Sequence, residues 1–164
     1  MSEILDKILN ITLNGYLIRL NRNLDIAELK QHDIDKVGFW GRLMIKPDYG
    51  ETVFWSKNAT LSLIDNSPQN TIRPMPAKPK DRQAYTTTAF LSFRHDVLRG
   101  FTFQVMGSSV LARSIIEKLE ETIVQSIGEA SSSDPGHRKW ESGDQELIVV
   151  PSGARRNGYI HLFT

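Results

Sequence analysis

Residues 85–127 read YTTTAFLSFRHDVLRGFTFQVMGSSVLARSIIEKLEETIVQSI, two β-favouring runs followed by a helix, and that order sets the fold class. In the first run Thr86, Thr88, Phe90, Ser92 and Arg94 alternate with Thr87, Ala89, Leu91 and Phe93, giving apolar content on both faces. A turn over Asp96 to Gly100 leads into Phe101–Met106, so the two runs predict a central antiparallel hairpin. Gly107, Ser108 and Ser109 then end the strand and cap a helix. Its apolar stripe is Leu111, Ile115, Leu119, Ile123 and Ile127, one every four residues, supplemented by Ala112, Ile116 and Val124. Glu117, Glu120 and Glu121 fall mainly off that stripe and read as its solvated side. Gly128 is the expected stop.

Working outward, Met1 to Asn10 mixes charged with aliphatic residues and reads as an amphipathic opening helix without the features of a signal peptide. Residues 11–20 suit a strand or tight hairpin around Asn14-Gly15. Asp25 is a plausible N-cap for a brief helix through Gln31, with Glu28 at capping-box spacing. Short β-favouring runs follow at 38–46, 51–56 and 59–64, where Ala59, Leu61 and Leu63 oppose Thr60 and Ser62. Beyond the long helix, residues 145–150 and 159–163 read as terminal strands joined by 151–158, with Asn157-Gly158 as a turn signal.

Helices this few do not cover both faces of a parallel sheet. The pattern predicts an α+β fold, a mainly antiparallel β-sheet with one long amphipathic helix packed on one face. One domain spans 1–164, with seven to nine strands, a proline-rich basic loop at 65–83 and a polar loop at 128–144.

Composition narrows the functional classes. Cysteine is absent, which removes thiolate nucleophiles, redox couples and thiolate-bound metals and fits a reducing cytoplasm. No apolar run is long enough for a membrane-spanning helix. A net charge of +1 argues against a dedicated nucleic-acid coat protein. The charge is unevenly spread: residues 42–83 hold seven basic and four acidic side chains, and residues 114–147 hold three and eight, so the fold is expected to be electrically two-faced.

Candidate sites are few. Four of the seven prolines lie in 65–83, and Arg73-Pro-Met-Pro76-Ala-Lys-Pro79 has the basic PxxP form that an aromatic groove reads as a polyproline II helix. A loop stiffened by proline explains the same residues. Lys78, Lys80 and Arg82 with Arg155 and Arg156 make a basic set suited to an acidic partner or to phosphate groups, and solvated turn residues are the more ordinary account of them. Gly107, Ser108 and Ser109 form an anion-binding candidate at a helix start, without the glycine–lysine pattern of a phosphate loop. Trp40, Trp55, Tyr85, Phe90, Phe93, Phe101 and Phe103 are strand-borne aromatics, which serve a core more often than base stacking. His32, His95, His137 and His161 are scattered, and no catalytic set, metal site or cofactor is indicated.

The reading is a cytoplasmic protein-interaction or inhibitory module whose contacts are Arg73, Pro76, Pro79, Lys80, Arg82, Arg155 and Arg156. A small-molecule-binding domain or enzyme with a pocket between sheet and helix is the first alternative, and a nucleic-acid-binding accessory protein the second. Extra apolar residues on the helix, Ile116 beside Ile115 and Val124 beside Ile123, leave room for a homodimer.

Overall fold

The 86–94 alternation becomes the middle of an eight-stranded antiparallel sheet. The computed structural model describes residues 9–13, 16–20, 24–31, 34–36, 51–57, 59–63, 71–72, 85–107, 109–151 and 157–163. Twelve strands fall among them, more than the sequence pattern suggested. They are β1 (Leu9–Leu13), β2 (Tyr16–Arg19), β3 (Asp35–Lys36), β4 (Glu51–Lys57), β5 (Thr60–Leu63) and β6 (Thr71–Ile72). Then come β7 (Thr86–Arg94), β8 (Val97–Met106), β9 (Ser132–Asp134), β10 (His137–Ser142), β11 (Gln145–Val150) and β12 (Asn157–Phe163). Helix α1 is Ile26–Gln31 and helix α2 is Ser109–Ile127.

The large sheet runs β3-β4-β7-β8-β12-β11-β10-β9, and a four-stranded sheet runs β2-β1-β5-β6. Helix α2 carries the chain from β8 to the far edge at β9. Strands β10, β11 and β12 then fold back until β12 closes against β8.

One face of the large sheet holds the core. Ala89, Leu91, Phe93, Phe101, Phe103, Val105, Leu147, Val149, Ile160 and Leu162 are all buried there. Ala112, Ile116, Leu119 and Ile123 of α2 cover one half of that face. Leu20, Leu24, Leu29, Ile34, Ala59 and Leu61 belong to the same cluster, so both sheets share one core. Of the two residues that left room for a homodimer, Ile116 is fully buried in this cluster and Val124 packs against it from its margin. The helix approaches closely because Gly158 has no side chain. A Cβ at that position would stand 2.6 Å from Ile116 Cγ1 and 2.9 Å from the Pro151 carbonyl oxygen.

Local chemistry explains the ends of the elements. The Asp25 carboxylate accepts a hydrogen bond from the Ala27 amide at 2.9 Å, the N-cap expected for α1. Helix α2 stops at Gly128, whose φ of +95° suits glycine and whose amide still donates to the Val124 carbonyl at 2.8 Å. The Trp140 indole then donates to the Gly128 carbonyl at 2.9 Å, tying the helix end to β10.

Several expectations change. The β7–β8 turn is only His95-Asp96, both with positive φ (51° and 61°), so β8 begins at Val97 and not at Phe101. Two left-handed residues make the tight hairpin turn whose twist matches the strands it joins. Asn157-Gly158 is no turn but the start of β12. Residues 128–144 are not simply a polar loop, because they contain β9 and β10 joined at Pro135-Gly136. Gly136 has φ +95°, which suits the third position of a type II turn after proline. Residues 9–10, read as the end of an opening helix, belong to β1, and residues 1–8 lie outside the described set. The expected strand at 38–46 also lies outside it, as does all of the 65–83 loop except β6.

Candidate functional site at one end of the sheet

Register decides which parts of the chain share an end of the large sheet. Thr86 pairs with Met106, and Met106 pairs with Asn157, so the first residues of β7 and β12 flank the last residue of β8. Two strand spacings separate Thr86 from Asn157, roughly 10 Å. Val150 pairs with Tyr159 and Arg138 with Val149, which brings Pro151 and the β9–β10 turn to the same end. Helix α2 starts there too, three positions after Met106.

The residues singled out in the sequence bear on this end mainly through their anchors. Arg73, Pro76, Pro79, Lys80, Arg82, Arg155, Arg156 and Ser108 lie outside the described residues. Arg82 precedes Thr86 by four positions, and Arg156 immediately precedes Asn157. Gly107 is a half-buried bend, and Ser109 is the first residue of α2. Met106, 43% exposed, stands between Thr86 and Asn157, and Val110, 79% exposed, is the second residue of α2; they are the exposed large apolar side chains of the described residues.

A cleft of about 420 Å³ opens between α2 and the β9–β10 turn. Arg113, Glu120, Asp134, His137 and Arg138 supply its charged and titratable groups. Arg138 reaches from β10 to α2 and forms an ion pair there, with Nε 3.1 Å from Glu120 Oε1. Glu120 is 8% exposed, and burial raises its pKa above the ordinary carboxylate value, with Arg138 opposing that shift and Glu117 and Glu121 adding to it. Arg113 donates from Nε to Glu117 Oε1 at 2.7 Å on the exposed side of the helix. His137 Nε2 lies 3.3 Å from Asp134 Oδ2 across the hairpin turn.

The sequence reading did not find this cleft. Its only local signal was Pro135-Gly136, a turn dipeptide that marks a hairpin as readily as a loop. The meeting of Glu120 with Arg138 depends on α2 lying across β10, and residue spacing carries no trace of that.

Elsewhere, the aromatic residues divide by face. Phe93, Phe101 and Phe103 are buried in the core, while Trp55, Tyr85 and Phe90 are half-buried, and Trp40 lies outside the described residues. Trp55 pairs with Phe90, Phe90 with Thr102, and Thr102 with His161, forming one row on the face away from α2. The Thr102 hydroxyl and His161 Nδ1 lie 2.7 Å apart. His95 and Asp96 are exposed at the opposite end of the sheet.

Among the described residues, no group of three or more His, Cys, Asp or Glu side chains is placed to hold a metal ion, and no helix is long and apolar enough to cross a membrane. No family model, no curated protein and no solved structure matches this chain.

Proposed function

We propose that this chain is a cytoplasmic protein-interaction or inhibitory module that binds the acidic surface of a protein partner with one end of its large sheet. The observation behind this reading is the shared cross-strand row Thr86, Met106, Asn157. That row takes up the chain shortly after each basic segment, and the exposed apolar residues Met106 and Val110 stand at the same end of the sheet. An apolar centre within a charged rim is the usual anatomy of a protein interface, and basic groups steer an acidic partner toward it. The absence of cysteine agrees with a reducing compartment.

The test is affinity capture from extract of the source cell, run across a salt series with paired variants. Arg82→Glu combined with Arg155→Glu and Arg156→Glu reverses charge at the proposed surface, and Val110→Asp removes its apolar centre. Arg99→Glu, near the β7–β8 turn at the other end, is the control. The reading expects a stoichiometric protein retained by the control and lost by both test variants, while circular dichroism shows all variants folded. Retention by the test variants, equal loss from the control, or capture of the chain alone in gentle salt overturns it.

The cleft gives the small-molecule alternative a specific footing, since it lies between the sheet and α2 and gathers titratable groups.

A further inference from the structure

We infer that the cleft between α2 and the β9–β10 hairpin is an oxyanion-binding site, taking a phosphate or carboxylate group on the guanidinium groups of Arg113 and Arg138. The inference goes beyond the partner-binding reading and stands without it.

The donor balance of the cleft carries the argument. A guanidinium has five N–H groups in a rigid fork. Arg113 spends Nε on Glu117, and Arg138 is held as an ion pair with Nε 3.1 Å from Glu120. Neither side chain has a further partner among the described residues. Both guanidinium groups line the cleft, and a fork edge matches two oxygens of a phosphate or carboxylate.

The carboxylates nearby act more as braces than as competitors. Glu120, 8% exposed, lines the cleft beside Arg138 and pairs with its guanidinium at 3.1 Å. Glu117 does the same for Arg113 at 2.7 Å. Asp134, which lines the cleft with His137, stands 3.3 Å from the imidazole. Each of these three carboxylates already faces a basic side chain. Holding Nε in place beforehand lowers the ordering cost of forming the second, bidentate contact. At about 420 Å³ the cleft has room for an oxyanion and the group that bears it.

The experiment is an NMR titration of the full chain, following the Nε–Hε signals of Arg113 and Arg138. Inorganic phosphate and acetate are the probes, with sodium chloride at matched ionic strength as the reference. Saturable shifts are expected with at least one probe, and the tighter of the two identifies the oxyanion class. Arg113→Gln should weaken that binding about tenfold or more, since it removes a charge-assisted donor pair. Arg138→Gln is made together with Glu120→Gln, so that no buried carboxylate is orphaned, and the same loss is expected. Linear shifts no larger than those of chloride, or saturable binding that both variants keep, overturn the inference.

Discussion

His161 stands in the middle of the sheet face that α2 leaves open, with Nδ1 at 2.7 Å from the Thr102 hydroxyl. Burial lowers its pKa below the ordinary imidazole value. The sign of the consequence follows from proton counting. As pH falls, the unfolded chain takes up this proton before the folded chain does, so stability drops through that window. The contribution of His161 is complete above the unfolded pKa and is lost as pH falls through the lower, folded one. Urea unfolding at pH 8 and pH 5 should show the native chain losing more stability on acidification than His161→Gln does. Equal losses in the two proteins would place the acid sensitivity in other groups. Alternation with Ile160 and Leu162 places His161 on the less buried face, and it lies there, but nothing local announces its hydrogen bond, which depends on a strand 59 positions away.

At the scale of elements, α2 is joined to the sheet by an apolar face, by the Trp140 indole at its C-terminal end and by the Glu120–Arg138 pair. The pair is the asymmetric part of this joint. Removing Arg138 leaves a carboxylate that burial already disfavours as an anion, a loss of about 1–3 kcal/mol for an unsatisfied buried group. Removing the charge on Glu120 as well lifts much of that penalty, so Arg138→Gln with Glu120→Gln should be more stable than Arg138→Gln alone. Acid should narrow the deficit of the single variant. A carboxyl whose folded pKa is raised contributes stability below its unfolded pKa, and that stability is lost as pH rises through the folded value. Thermal melts at pH 4 and pH 7 check both points, and a deficit that grows on acidification contradicts them. The helix itself was readable from its four-residue apolar repeat and its glycine stop. So were α1 with its Asp25 cap, the β1–β2 pairing and most of β4, β5, β7 and β11, because each rests on neighbours in sequence. The β9–β10 hairpin was hidden by its polarity. Ser132, Ser133 and Asp134 are all exposed, and strand-forming alternation has no apolar face to display at such an edge.

For the whole molecule, long-range register is what local pattern omits. Charge counts separated a basic from an acidic stretch, yet only the order β7-β8-β12 brings the anchors of both basic segments within two strand spacings. The same topology governs how the molecule unfolds. Leu20 and Leu61 lie in one buried cluster with Phe54 and Phe93, whose rings meet edge to face at 5.7 Å, and with Ile116 and Leu147 at the far side. The Thr87 hydroxyl further binds the large sheet to the carbonyl of Ala59, next to β5. A core shared in this way couples the two sheets, because neither buries its apolar face without the other. Leu61→Ala should therefore cost about 2–5 kcal/mol. It should lower the unfolding midpoint equally by far-UV circular dichroism, which reads all elements, and by tryptophan fluorescence, to which Trp140 beside α2 contributes. Separate transitions by the two probes, or a fluorescence midpoint left unmoved by Leu61→Ala, would mean that the small sheet melts by itself. The large sheet would then keep the site-bearing end intact without it.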